Sequence, residues 1–202
     1  MITAHAALEL LREGNRRFVN EVRNCDPRVR QARRLELTAG QEPHAIILGC
    51  SDSRVPAELV FDQGLGDLFV IRVAGPIIEP SQIGSVEFAC EKFDTPLVLV
   101  MGHTHCGAIQ QTITEILQPT PKQSNHVLSI VNRIRPSIDD LVLRHQYAPR
   151  AELVDVAVRA NVRACVEELR SRSQFIEQRM INGSLRIVGS EYHLETGKIE
   201  LV

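Results

Sequence analysis

The sequence predicts an α/β fold built around a parallel sheet that helices cover on both sides. The first observation is three apolar runs of strand length, "AIILGC" (45–50), "LFVIRV" (68–73) and "LVLVMG" (97–102), each apolar at both alternating positions. Strands of a parallel sheet have this pattern because both of their faces are buried. The second observation is the helical pattern between the second and third runs, since parallel strands need a crossover connection.

The N-terminal part of the chain predicts helix but contributes little core. Leu8, Leu11 and Phe18 recur at helical spacing, which indicates an amphipathic helix. Residues 24–43 form a polar connection that has room for one short helix. Between the second and third apolar runs, we expect Ser81 to cap a helix. The apolar face of that helix carries Ile83, Val86, Cys90 and Phe93.

The C-terminal half predicts helices followed by two strands. A stretch rich in proline and polar residues, 118–126, indicates a surface loop, and Pro149 marks a break between the last two helical patterns. The end of the chain reads as a strand followed by a hairpin that turns at Thr196–Gly197. These breaks leave three predicted helices, at 107–117, 127–147 and 151–170.

Length, charge and cysteine content exclude several classes of protein. With 202 residues, 44% of them hydrophobic, the chain fits one globular domain, 1–202, whose first part, 1–40, is an N-terminal helical arm. A net charge of −2, with arginines scattered between acidic residues, offers no basic surface for nucleic acid. No apolar run approaches the roughly 18–20 residues of a membrane span, so we expect no membrane partner. Charged residues interrupt the N-terminus, which therefore does not read as a signal peptide: Glu9, Arg12 and Glu13.

The cysteines indicate the compartment and a possible metal. They number five, an odd count, and are widely spaced, which favours free thiols or metal ligands in a reducing cytoplasm over a disulfide framework. Three of them have no partner nearby in the sequence and are expected to be packed or exposed thiols: Cys25, Cys90 and Cys165.

Polar side chains follow two of the predicted strands. Cys50 and Asp52 end the first run, and His103 and Cys106 end the third. Open parallel sheets bind ligands beyond the carboxyl ends of their strands, and two thiolates, an imidazole and a carboxylate suit zinc. Each residue alone would more often be a buried cysteine, a capping aspartate or a core histidine. The four together favour a zinc site, with His105 pointing elsewhere.

The stretches "CSDSRVPAELVFDQGLGDLFVIRVAG", "VEFA" and "VLVMGHTHCGA" resemble the β class of carbonic anhydrases, whose signature is Cys-Ser-Asp-Ser-Arg followed by His-X-X-Cys. The resemblance implies a four-stranded, mainly parallel sheet with a C-terminal antiparallel strand, and N-terminal helices that reach onto a partner subunit. It also implies zinc held by Cys50, His103 and Cys106, and a catalytic pair formed by Asp52 and Arg54.

The activity that the resemblance implies is the reversible hydration of carbon dioxide to bicarbonate and a proton by zinc-bound hydroxide. Gln41 matches an amide that faces the substrate, Phe69 and Phe88 match aromatic walls of its pocket, and Gly107 matches a glycine whose backbone lies close to it. Phe88 would come from another subunit. The resemblance therefore also implies a homo-oligomer, a dimer or a tetramer of dimers.

Two alternatives stay open. Enzymes resembling this family hydrolyse carbon disulfide or carbonyl sulfide at the same zinc site. A closed site, with Asp52 as a fourth ligand beside the two cysteines and the histidine, would serve structure or sensing. Arg54 argues against closure as the sole state, because a carboxylate held by an arginine is less available to a metal.

The sequence also departs from the family pattern in two places. The stretch "RVAGPI" carries Pro76 where the family has an asparagine, so backbone bonding there must differ. Ile47, Arg72 and Tyr192 stand where one subgroup has Trp, Arg and Tyr around a non-catalytic bicarbonate. Without the indole donor, bicarbonate inhibition of that kind is not expected.

Overall fold

The computed structural model describes residues 2–22, 27–119 and 124–202, and side chains throughout these ranges except at 27–31. Cys25 and part of the predicted loop at 118–126 lie outside the described residues. The helices are α1 (Ala4–Val19), α2 (Pro27–Glu36), α3 (Ala57–Val60), α4 (Pro80–Phe93), α5 (Gly107–Leu117), α6 (Asn125–Arg144), α7 (Arg150–Ser171) and α8 (Gln174–Ile181), with a 3₁₀ turn at Leu37–Ala39. The strands are β1 (Ala45–Cys50), β2 (Leu68–Val73), β3 (Leu97–His103), β4 (Arg186–Tyr192) and β5 (Ile199–Leu201).

The strands form one sheet in the order β2-β1-β3-β4-β5. The first four are parallel to their neighbours, and β5 pairs antiparallel with β4. The expected α/β class, the four parallel strands and the antiparallel C-terminal strand are thus confirmed. Every residue of β1 and β3 is buried, whereas β2 at the sheet edge is only partly buried.

Alternate residues of the strands pack into two separate hydrophobic cores, one on each face of the sheet. Ile46 and Leu48 of β1 face a core completed by α4, α7 and α8. Ala45 and Ile47 face the opposite core, which α1 and α3 complete. A third apolar cluster lies where α5, α6 and α7 meet, and it includes Cys50 and Cys106. This double-sided burial explains why the central strands carry apolar residues at both alternating positions.

Two details of the helices differ from the sequence-based predictions. The N-cap of α4 is Glu79, not Ser81, and Pro80 occupies the first turn. Proline is favoured there because its missing N–H would have no partner in the first turn in any case. Helix α8 was not predicted; it is short, Ser173 caps it, and only Ile176 within it is buried.

Helix α1 covers this chain's own sheet. Ala7, Leu8 and Leu11 are buried against the core that contains Ile47. At Gly14 the helix approaches the α3 end so closely that a Cβ atom would lie 1.7 Å from the Phe61 carbonyl oxygen. The reach of the N-terminal arm onto a partner therefore stays a prediction. No helix within the described ranges is long and apolar enough to cross a membrane.

Candidate metal centre and active site

The order in which the chain forms the strands of the sheet determines where the candidate site lies. The chain passes from β1 to β2 on one side and then returns to β3 on the other side of β1. Gly49 of β1 pairs with Met101 of β3, so the residues that follow both strands emerge side by side. Crevices at such a reversal of strand order are where open α/β sheets bind ligands.

Cys50, His103 and Cys106 converge in this crevice. Their ligand atoms all lie within 4.8 Å of one another, and all three residues are buried. Because Zn–S and Zn–N bonds are about 2.0–2.3 Å long, one ion can bond all three atoms after small adjustments. Among the described residues, no other group of histidine, cysteine and acidic side chains has this arrangement.

The imidazole of His103 is oriented for metal binding. Its Nδ1 lies 2.8 Å from the Thr104 carbonyl oxygen. A carbonyl only accepts, so Nδ1 carries the proton and Nε2 keeps its lone pair. His103 has no exposed surface, and Nε2 has no hydrogen-bond partner in the described structure. A histidine that binds a metal usually donates its other ring N–H to a carbonyl or carboxylate oxygen in this way.

The thiols of Cys50 and Cys106 shift each other's pKa. Hydrogen bonding between them lowers the pKa of Cys50, against the cost of burial, and raises the pKa of Cys106. The backbone N–H groups of Gly75 and Asp52 lie 3.3 and 3.4 Å from the Cys50 Sγ and stabilise its thiolate. Cys106 stands at the N-cap of α5, where the backbone N–H groups of Ala108 and Ile109 partly offset the rise in its pKa. The Cys50 sulfur thus sits among donors that favour the negatively charged form a metal requires.

Asp52 and Arg54 form a bidentate ion pair beside the metal ligands. The Asp52 Oδ1 accepts from the backbone N (3.0 Å) and the Nε (2.9 Å) of Arg54, and Oδ2 accepts from its Nη2 (2.7 Å). Hydrogen bonding to the arginine holds the pKa of Asp52 well below its usual range. The Oδ2 atom also lies 3.9 Å from the Nε2 of His103. The carboxylate is therefore ionised and fixed next to the position a metal would occupy.

Two more predicted residues lie at this end of the sheet. Gly107 follows Cys106, is exposed, and a Cβ atom there would meet nothing within 4 Å. His105 has a φ of 57° and turns away from the ligands, so that its Nε2 lies 2.5 Å from a carboxylate oxygen of Glu195. The structure agrees with the expectation that His105 points elsewhere.

Gln41, Phe69 and Phe88 lie apart from the metal ligands within one chain. Phe69 pairs with Ile46 near the start of β1, four residues from the Cys50 end, or about 13 Å along the strand. Phe88 packs on Phe69 with ring centroids 6.2 Å apart and is 53% exposed. Gln41 is exposed and precedes β1, at the opposite end from Cys50.

Sequence reasoning missed the role of Arg72 in shaping the site. Its Nε donates to the Cys50 carbonyl oxygen (2.9 Å) and its Nη2 to the Asp52 carbonyl oxygen (2.6 Å). These bonds tie the loop after β1 to the edge strand β2. No sequence pattern signals a bond from a side chain to the backbone of a neighbouring strand.

Comparisons with known proteins agree with this geometry. A family model described as carbonic anhydrase matches residues 45–199. The chain is 41% identical to carbonic anhydrase 2 of Mycobacterium tuberculosis, with 97% of this chain and 91% of that protein covered. It is also 41% identical to a carbonic anhydrase of Mycolicibacterium smegmatis, over 97% of this chain and 92% of the relative.

Solved structures share the fold. The β-carbonic anhydrase CafA of Aspergillus fumigatus superposes with a TM-score of 0.77 at 23% identity, over 87% of this chain and 82% of that one. One of two tetrameric β-carbonic anhydrases of Sordaria macrospora gives 0.75 at 20% identity, over 83% and 84% of the two chains. On the family model, the relatives and the fold together, this chain belongs to the β-carbonic anhydrase family.

Proposed function

We propose that this protein is a zinc-dependent carbonic anhydrase that interconverts carbon dioxide and water with bicarbonate and a proton. The observation that carries the proposal is the buried group of Cys50, His103 and Cys106 beside the ion pair of Asp52 and Arg54. The family membership supports the same reaction. The four free thiols among the described cysteines fit the cytoplasm as the compartment.

Cys50, His103 and Cys106 would hold the zinc ion. The unpartnered Nε2 of His103 and the N–H donors around the two sulfurs fit this role. Zinc, when bound, supplies positive charge that lowers the pKa of water and makes a nucleophile available at neutral pH. With only these three protein ligands, the ion would keep a position for water or substrate.

Asp52 would accept a hydrogen bond from the attacking water and orient it toward the carbon of carbon dioxide. The Asp52 carboxylate can act as an acceptor because Arg54 keeps it ionised. Three hydrogen bonds from Arg54 also hold it back from the metal position, which favours the open site over a closed, purely structural one. Arg54 acts through Asp52 and through its own bond of 3.4 Å to the His105 carbonyl oxygen.

The substrate pocket would be completed by a second copy of the chain. Gln41, Phe69 and Phe88 lie far from this chain's own Cys50, so they can line a site only across an interface. The half-exposed ring of Phe88 leaves apolar surface for such a contact. Gly107, open to its surroundings, would let the substrate approach the backbone of α5. The resulting homo-oligomer agrees with the tetrameric relatives of the same fold.

Metal analysis and turnover on the purified protein test the proposal. We expect one zinc per chain and rapid carbon dioxide hydration in a stopped-flow assay with a pH indicator. Parallel assays with carbon disulfide and carbonyl sulfide separate the alternative hydrolase, for which we expect no comparable rate. A zinc-loaded protein without carbon dioxide hydration would contradict the proposed function.

A further inference from the structure

A buried asparagine on α7 connects to the metal ligand Cys50 through the loop after β2. The Nδ2 of Asn161 donates to the Pro76 carbonyl oxygen at 2.8 Å, and the Sγ of Cys165 lies 3.2 Å from the same oxygen. One residue earlier in that loop, the N–H of Gly75 donates to the Cys50 Sγ at 3.3 Å. Asn161 is only 2% exposed, and nothing in the proposed reaction uses it directly.

The loop itself does not fix the direction of the Gly75 N–H. Glycine is the most permissive residue of the backbone, and Gly75 has a φ of 69°, in the left-handed region. A Cβ atom at this position would lie 2.9 Å from the Ala108 side chain, so a stiffer residue does not fit. The ring of Pro76 fixes its φ and so removes one of the backbone rotations that separate its carbonyl from Gly75. An anchor on the Pro76 carbonyl therefore also restricts Gly75.

Ser137 of α6 in turn helps to hold the side-chain amide of Asn161 in place. Because the Pro76 carbonyl only accepts, the amide NH₂ of Asn161 must face it, and the amide oxygen faces the other way. That Oδ1 atom lies 2.9 Å from the Ser137 hydroxyl, whose one proton is shared between it and the Ile134 carbonyl oxygen at 2.6 Å. Hydrogen bonds thus connect Ser137 to Asn161 and Asn161 to the loop whose Gly75 N–H faces the Cys50 sulfur.

We propose that Asn161, supported by Ser137, is a positioning residue that aims the Gly75 N–H at the sulfur of Cys50. An N–H bond to a thiolate ligand withdraws electron density from the sulfur and fixes its position, which tunes both metal affinity and the charge on the metal. This inference rests on the proposed metal site and adds two residues outside it. The relay also gives a role to Pro76, the position where the chain departs from the family pattern.

The test compares two buried asparagines in metal-binding experiments. Asn161→Leu removes the anchor. Asn15→Leu is the matched control, because Asn15 is 7% exposed and also donates to backbone carbonyls, those of Val60 and Gly197. The readouts are the zinc Kd by chelator competition and the thiolate-to-metal absorption band of the cobalt(II)-substituted protein. We expect about tenfold weaker zinc binding in Asn161→Leu and a band at longer wavelength, whereas Asn15→Leu keeps both parental values.

Ser137→Ala provides a milder second variant, with a smaller change in the same direction, and decides the matter if Asn161→Leu does not fold. Parental zinc Kd and band position in the Asn161 and Ser137 variants would overturn the positioning role and leave the metal site intact. Equal changes in Asn15→Leu would also overturn it, because they would reflect general destabilisation. A parent protein that gives no thiolate band with cobalt would refute the metal site and this inference together.

Discussion

The two ends of the sheet differ in how much of the proposed site a single chain supplies. At the carboxyl end, Cys50, His103 and Cys106 are buried and lie within 4.8 Å of one another. Near the start of β2 lies an aromatic patch formed by Phe69, Phe88 and Phe93, with ring centroids about 6 Å apart. The ring of Phe88 in this patch remains half exposed. The comparison teaches that one chain supplies the whole candidate metal-binding group, whereas we propose that two chains complete the pocket.

The largest expected effect comes from removing a metal ligand at the carboxyl end. We expect loss of the zinc and a fall in turnover of more than about a hundredfold in each of three variants, Cys50→Ala, His103→Ala and Cys106→Ala. Mutating a residue that only hydrogen-bonds to a metal ligand already lowers metal affinity or activity by about 10–100-fold. Zinc content and carbon dioxide hydration measure this. Cys90→Ala is the matched control, because Cys90 is equally buried but lies on α4. Full activity in any ligand variant would reject that residue as a ligand.

Removing the ion pair should separate metal binding from catalysis. Asp52→Ala and Arg54→Ala should keep the zinc and lower the hydration rate by about 10²–10⁴-fold, the usual contribution of a positioned proton acceptor. A matched control is Asp62→Asn, since the Asp62 carboxylate also pairs with an arginine, Arg17 of α1, at 2.5 Å. An Asp52→Ala enzyme as fast as the parent would show that the pair has no catalytic role.

The pH dependence of the hydration rate is a further test of the roles of the metal site and of the Asp52–Arg54 pair. Two thiolate ligands would cancel the charge of Zn²⁺, so bound water would be acidified less than at a zinc with three neutral histidines, where the pKa of the water is about 7. We expect hydration to rise from neutral into alkaline pH. Arg54 holds the pKa of Asp52 below its usual value, so the carboxylate is already ionised over this range and its stabilising bond is lost only at acidic pH. A flat profile from mildly acidic to alkaline pH would contradict this account.

A substitution in the aromatic patch is expected to affect mainly the assembly of the oligomer. Phe88→Asp should dissociate the oligomer and raise KM while each chain keeps its zinc, because the ligands all come from one chain. Light scattering after size exclusion and steady-state kinetics measure the two effects. Ile181→Asp is the control, since Ile181 is 71% exposed outside the patch. A parent protein that is monomeric at full turnover would refute the shared pocket.

The smallest effect is expected at Gln41. Gln41→Ala should lower kcat/KM by roughly fivefold, the equivalent of one hydrogen bond of about 1 kcal/mol to the substrate. Gln63→Ala is the control, because Gln63 is bonded to the Phe61 carbonyl oxygen of its own chain. Unchanged kcat/KM in Gln41→Ala would remove this residue from the pocket.

Much of the fold was predictable from local pattern. The apolar runs gave the positions of β1, β2 and β3, and Pro149 marked the start of α7. Helix α8 was missed because a single buried residue, Ile176, leaves almost no periodic signal. The N-cap of α4 was misplaced because Pro80, which starts the helix, outweighed the capping preference of Ser81.

By itself, the sequence determined the residue types of the metal centre and their places at the ends of two strands. Only the tertiary structure decided that β1 and β3 are neighbours, that His103 presents Nε2, and that Arg72 and Asn161 bind the loops around Cys50. The physical reason is the separation along the chain between the residues that interact. Strand and helix patterns arise from neighbours along the chain, whereas a hydrogen bond between Asn161 and Pro76 joins segments 85 residues apart and depends on how whole helices pack.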